Sequence, residues 1–190
     1  MSLAERLRLS LRRTLPVLLQ TEAAECGVAC LAMIASYHGH AVDVATLRRR
    51  FAVSMRGTTL AALMELATRL GLETRAVRVE LEDLGRLRTP CILHWSFTHF
   101  VVLRRVSGRG VTVHDPARGL RRVTRAEAGS SFTGVAPELW PSPRFTPRVA
   151  APAVRLRELV GNVRGLVGGL AQILLLAATL ASFVLANPLL

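Results

Sequence analysis

Cys26 is the side chain in this 190-residue sequence whose type and position best suit a nucleophile. It opens the first strong helical pattern, within Gln20-Thr21-Glu22-Ala23-Ala24-Glu25-Cys26-Gly27-Val28-Ala29-Cys30. Unpaired N–H groups at a helix start carry partial positive charge, which favours thiolate over thiol, and thiolate is the nucleophilic form. Gly27 beside it lets a substrate backbone come close. A nucleophile needs a base, and the base needs an orienting group. His99 begins the strand-like run His99-Phe100-Val101-Val102-Leu103, a hairpin signal follows at Ser107-Gly108-Arg109-Gly110, and the return ends at His114-Asp115-Pro116. A His at the start of one strand and an Asp at the end of its antiparallel partner can sit side by side, leaving an imidazole positioned by a carboxylate. An inert buried cysteine with an unrelated His and Asp satisfies the same spacing.

The other thiols and imidazoles read differently. Cys30 lies one helical turn beyond Cys26 and turns into the core, and Cys91 sits in an apolar strand. Cys26-x3-Cys30 with His94-x4-His99 imitates zinc spacing, but the gap between the pairs is too long for a finger and a metal would silence the nucleophile. His38 and His40 flank Gly39 at a helix exit and read as loop residues. His94 points to the opposite strand face from His99, and His114 faces away from Asp115. Three scattered cysteines make no disulfide framework and fit a reducing compartment.

The elements that must position these groups follow from periodicity. Glu25 to Tyr37 carries Val28, Leu31, Ala32 and Ala35 on one helical face and stops at Gly39. Asp43 can cap a short helix with Leu47 and Phe51 inward. Thr58 or Thr59 opens a third, with Leu60, Leu63, Met64, Ala67 and Leu70 at helical spacing and Gly71 after its end. From Thr74 to Val79 the period shortens to two; Cys91 to Leu93, Phe100 to Val106, Val111 to His114 and Gly119 to Thr124 are further strands. Helices followed by antiparallel strands give an α+β domain.

The formal net charge is +12, and every basic residue is Arg. Such a balance raises nucleic acid and anionic membrane as partners, but the arginines are spread in short groups beside apolar runs, as on solvated faces, and codon usage in a GC-rich genome dilutes both readings. After Arg164 no ionisable side chain occurs through Leu190. As a helix those 26 residues reach about 39 Å, enough to cross a hydrocarbon core of about 30 Å. Arg148, Arg155, Arg157 and Arg164 precede the run, which places the N-terminal domain on the cytoplasmic side. The basic stretch Met1 to Arg13 has no apolar core or cleavage site of a signal peptide. Pro137 to Pro152 reads as an extended, exposed connector. The expected organisation is a domain over 1–140, a Pro/Arg-rich linker over 141–162, and a membrane helix over 163–190 that begins a larger membrane domain.

These residues resemble the peptidase family C39 domain of bacteriocin-processing ABC transporters. Gln20 with Glu25-Cys26-Gly27-Val28-Ala29-Cys30-Leu31-Ala32-Met33-Ile34 is similar to that family's nucleophile segment, His94-Trp95 and His99 to Leu103 to its histidine strand, and Asp115-Pro116 to its aspartate turn. Arg56-Gly57-Thr58-Thr59 also matches, and Glu25 stands where many members have Asp. The resemblance implies a papain-like cysteine peptidase that cuts after a double-glycine motif in the leader of a precursor peptide. It implies Cys26 as nucleophile, His99 as general base and acid, Asp115 orienting His99, and Gln20 as an oxyanion donor beside the Cys26 N–H. Partners implied are the Gly-Gly leader, the bacterial cytoplasmic membrane, and the rest of a homodimeric transporter, with no nucleic acid. No cofactor is expected in this chain; ATP and Mg belong to a nucleotide-binding domain elsewhere, since a chain without Lys has no Walker loop. Leu63 and Met64 are candidate exposed positions for an amphipathic leader helix. A non-cleaving leader-binding domain is the alternative, and a membrane-tethered DNA-binding protein a third.

Overall fold

The computed structural model describes residues 14–51, 57–148 and 164–186. The Met1–Arg13 stretch, Arg56, the segment 149–163 with Arg155 and Arg157, and residues 187–190 lie outside the described residues. Two compact units are present, Met1–Ala150 and Ala151–Leu190.

The first unit is built around helix α1, Cys26–Tyr37. Every residue from Cys26 to Ala35 is buried, so α1 is apolar all round rather than amphipathic, as a central helix must be. A helical turn at Ala23–Glu25 leads into it. Helix α2, Val44–Phe51, buries Val44 and Leu47 and leaves Arg48, Arg49 and Arg50 outside. Helix α3, Leu60–Arg69, is capped by Thr59, whose hydroxyl accepts the Ala62 N–H at 3.2 Å. Leu63 and Ala67 face inward from it. Leu63 is therefore a core residue and not the exposed docking position expected of it; Met64 is half-buried.

Six antiparallel strands form one sheet: β1 Leu72–Arg78, β2 Cys91–Trp95, β3 His99–Ser107, β4 Gly110–Asp115, β5 Gly119–Thr124 and β6 Val135–Pro141, in the order β1-β6-β2-β3-β4-β5. Both faces are covered. Ile92, Phe100, Val102 and Leu139 pack against α1, with Leu31, Met33, Leu47 and Leu63 in the same core. Cys91, Leu93, Val101, Leu103, Val111, Val113 and Val123 make a second core with Leu84 and Ala128, the latter from helix α4, Arg125–Ser131. Burial on both faces explains why residues 100–103 are apolar without alternation. Full burial of each large apolar side chain contributes about 1.5–3 kcal/mol. A register shift between Leu103 and Arg105 then reverses the phase, so Val106 joins the second core while Arg104 and Arg105 are both exposed. Gly110 closes the β3–β4 hairpin at φ +143, and a Cβ there would lie 2.1 Å from the Val123 carbonyl oxygen.

The proline-containing stretch differs from expectation at its start. Pro137 to Pro141 belongs to β6, and Ala136 through Leu139 are buried. Proline is tolerated because β2 meets β6 only at Cys91–Glu138, which leaves little ladder on that side for Pro137 to interrupt. Glu138 is buried there, held by the Arg75 guanidinium at 2.6 and 3.0 Å and by the Arg88 N–H at 2.7 Å. His40, expected in a loop, is buried with Nδ1 2.8 Å from the Thr146 carbonyl.

In the second unit, helix α5 runs Arg164–Ala186. Its described side chains cover residues 168–183, about 24 Å of rise. Among the described residues no helix is long and apolar enough to cross a membrane, so the span expected over 163–190 goes beyond what they show.

Candidate active site

The β3–β4 hairpin carries His99 at one strand's start and Asp115 at the other's end, and the two side chains meet: His99 Nε2 lies 2.9 Å from Asp115 Oδ1. Asp115 is 3% exposed, so its charge needs several partners. The Ala117 N–H donates to Oδ1 at 2.9 Å, and Arg121 reaches Oδ2 at 3.4 Å. Arg121 in turn binds Glu127 on α4. Burial works against ionised Asp115, but the His99 bond, the Ala117 N–H and Arg121 outweigh it and hold the carboxyl below its usual range. Ionised Asp115 is acceptor-only, so Nε2 carries the proton between them.

With Nε2 engaged, His99 has Nδ1 left for the thiol of Cys26, and the two groups are near enough for each to favour the other's charged form. Burial disfavours the imidazolium, yet Asp115 and Cys26 prevail and push His99 up to about 9. For Cys26 burial again opposes charge, and His99 together with the Phe100 and Gly27 backbone brings the thiol below its ordinary range. Thiol and imidazole are thus poised to share one proton as an ion pair. Cys30 and Cys91 are wholly buried; burial pushes Cys30 far up and Cys91 to about 12. Both stay protonated and unreactive.

The shifts set a pH dependence. Thiolate is lost as pH falls through the lowered Cys26 value, and the imidazolium proton a leaving amine needs is lost as pH rises through about 9. A bell-shaped kcat/KM is expected, with its acid limb below the ordinary thiol range and its alkaline limb near pH 9. Steady-state rates across pH on a cleavable peptide check this.

Gln20 lies beside the same turn. Its backbone N–H donates to the Pro116 carbonyl at 2.9 Å, and its side-chain Oε1 is buried without a hydrogen-bond partner among the described residues. His114 sits away from the thiol, with Nδ1 donating to the Pro16 carbonyl at 3.0 Å, which ties the segment before Gln20 to β4. His94 bonds Thr133 at 2.8 Å and leaves His99 alone with Cys26.

Two supporting groups were not singled out by sequence reasoning. Arg121, in what reads as an ordinary strand charge, braces Asp115. Glu25, which the sequence marks only as standing where many members of the family have Asp, is the second. It is 3% exposed, and its Oε2 accepts the N–H groups of Thr21 (2.9 Å) and Glu22 (3.1 Å) while Oε1 takes Arg48 at 2.7 Å. Burial opposes its charge, but those N–H groups and Arg48 hold it below the usual carboxylate range. Glu25 therefore clamps the loop that carries Gln20 onto the start of α1. The Glu-x-x-Glu spacing of Glu22 and Glu25 resembles a capping box and is the signal that finds it. Glu25→Gln is expected to lower kcat about tenfold by loosening an oxyanion donor, with KM little changed. Steady-state kinetics of the variant measure the split.

A sulfur, an imidazole and a buried carboxylate in series do the work of a cysteine peptidase, and helices packed on an antiparallel sheet give it a papain-like frame. The chain belongs to the Peptidase C39 family, which it matches over residues 14–144. It is 45% identical over 177 residues to the colicin V secretion/processing ATP-binding protein CvaB of Escherichia coli, covering 93% of this chain and 25% of that protein. It is 31% identical over 136 residues to the transport/processing ATP-binding protein ComA of Streptococcus pneumoniae, covering 67% of this chain and 19% of that one. The chain thus spans about a quarter or less of these relatives. Among solved structures, a double-glycine-motif protease from an AMS/PCAT transporter, in complex with its leader peptide, is 37% identical with a TM-score of 0.64, covering 69% of this chain and 94% of that one. The peptidase domain of Streptococcus ComA is 28% identical with a TM-score of 0.62, covering 68% and 100%.

Proposed function

We propose that this cysteine peptidase removes the leader of a secreted peptide precursor by cutting after a Gly-Gly motif, as the N-terminal part of an ABC transporter that then exports the cargo. The observation that carries it is the buried His99–Asp115 hydrogen bond with Cys26 beside the imidazole, each of the three groups shifted toward its charged form. In the reaction, Cys26 thiolate attacks the carbonyl carbon of the second glycine. The Cys26 N–H and the Gln20 carboxamide take the developing oxyanion, each such donor being worth about 3 kcal/mol. The His99 imidazolium protonates the leaving amine, and the neutral ring then draws a proton from the water that hydrolyses the thioester. Asp115 keeps Nε2–H in place through both halves. A groove walled by large side chains beside the scissile bond would admit only residues without side chains and so select glycine by exclusion.

The organisation supported is a peptidase domain over 1–140, a linker over 141–162 and a first membrane helix over 163–190, with the peptidase on the cytoplasmic side of a bacterial membrane. The uncharged run from Gly165 to Leu190 supports the span, and the arginines before it the orientation. ATP and Mg would serve a nucleotide-binding domain outside these residues, in a transporter that pairs as a homodimer. A domain that only holds the leader has no use for an activated thiol, so Cys26 favours cleavage over the binding-only reading. Mass spectrometry after incubation of the reduced chain with a Gly-Gly precursor is expected to give two products meeting at that bond; an intact precursor that still binds would leave the binding-only reading.

A further inference from the structure

The turn that joins β2 to β3 departs from ordinary backbone chemistry within three residues of His99. Ser96 and Phe97 have φ of +47 and +62, a left-handed pair with no glycine in it. Such positions cost free energy for any residue with a Cβ, and most for a bulky one. Phe97 gains nothing from the core in return: its side chain is 79% exposed and has no aromatic neighbour among the described residues. The turn is nevertheless firmly held. Trp95 pairs with His99 as the last rung of the β2–β3 ladder, the Ser96 N–H donates to the Ser131 carbonyl at 2.7 Å, and the Thr133 N–H donates to the His94 carbonyl at 3.2 Å. A strained, rigidly mounted, solvent-facing aromatic ring two residues from the imidazole breaks a backbone rule that the described non-glycine residues outside this turn keep. Violations of this kind concentrate where function requires them.

We infer that Phe97 is the apolar wall of a subsite for the peptide segment that follows the cleaved bond, and that the subsite takes a bulky apolar side chain within the first two residues of the released cargo. The inference rests on the peptidase reading and deepens it. Its side assignment comes from the chemistry of His99. That imidazolium must face the leaving nitrogen to protonate it, so the turn leading into His99 borders the residues on the amine side of the scissile bond. An exposed aromatic face there can cover an apolar side chain as the substrate settles, and a rigid turn keeps the ring in place without further ordering. Glycine selection, by contrast, belongs to the residues before the bond.

The test compares two precursor peptides that share one Gly-Gly leader and differ after the bond, one with Leu or Phe and the other with Ser or Asn in the first two cargo positions. The parent chain is expected to cleave the apolar one with a kcat/KM about tenfold higher, the discrimination one apolar group in a pocket provides. Phe97→Gly should abolish that preference through a raised KM on the apolar peptide, lower kcat/KM on the polar one far less, and raise the thermal midpoint by relieving the left-handed strain. Phe97→Leu should keep most of the preference. Raised stability with lost discrimination is an outcome that a purely structural Phe97 does not produce. If Phe97→Gly discriminates as the parent does, or loses activity on both peptides equally, the subsite is overturned while the Gly-Gly reading stands. If the parent chain cuts neither peptide, the peptidase reading fails and the subsite goes with it.

Discussion

Replacing Cys26 by Ala should lower kcat on a Gly-Gly precursor by at least about ten-thousandfold while leaving the fold and leader binding intact. The loss is large because the thiol supplies the bond-forming electron pair, and no neighbouring group can substitute: Cys30 is fully buried and protonated, and His99 and Asp115 are committed to each other. The fold survives because Cys26 begins a helix whose next nine residues are buried on their own account, and Ala is the best helix former. Single-turnover kinetics beside a thermal melt separate the two effects. An unchanged melt with no turnover is the expected pair of results.

Asp115→Asn should cost about a hundredfold in kcat/KM, the scale of a displaced general acid–base group. The neutral amide can still accept one hydrogen bond, but it no longer stabilises the imidazolium charge, and the Arg121 guanidinium keeps only Glu127 as an anionic partner. The direction of the accompanying pH change follows from the sign of each shift. His99 is raised to about 9 partly by Asp115, so removing that charge moves the alkaline limb of the rate profile to lower pH. Stability moves in parallel. The raised His99 contributes stability that is complete below its ordinary range and lost as pH rises through about 9, whereas the lowered Asp115 contributes stability present above the ordinary carboxylate range and lost on acidification. Asp115→Asn should therefore flatten the melt-versus-pH curve on both sides. Rate profiles and melts of the two proteins, recorded across the same pH range, measure both consequences.

Much of this site was legible from residue order because it is made of local signals joined by one hairpin. Cys26 announces itself by opening an apolar helical run, and His99 and Asp115 bracket a return marked by Ser107-Gly108-Arg109-Gly110; the structure brings these three together. A cap at Thr58 or Thr59, of which the structure uses Thr59, and Gly71 after α3 were equally readable, since both act within one turn of chain. Strand β6 was not, because Pro137 and Pro141 signal a break locally, and only the sparse pairing with β2 makes them tolerable. Helix α4 has no periodic apolar signal, since Gly129, Ser130 and Ser131 are weak helix formers, and is secured by the buried Ala128 and by the Thr124 cap. Leu63 was misjudged for the opposite reason: its helical face looked free until α1 packed on it. The clamps of Glu25 on the Gln20 loop and of Arg121 on Asp115 join side chains and backbone that charge patterning does not connect.

The account depends on Cys26 existing as a thiolate against a charged His99. Alkylation of the native chain by iodoacetamide as a function of pH, with the modified cysteine mapped by mass spectrometry, tests that most directly. The expected result is reaction confined to Cys26, already fast below the ordinary thiol range, and slowed by Asp115→Asn. Reaction that begins only where a free thiol ionises, or that spreads over Cys26, Cys30 and Cys91 alike, would contradict it.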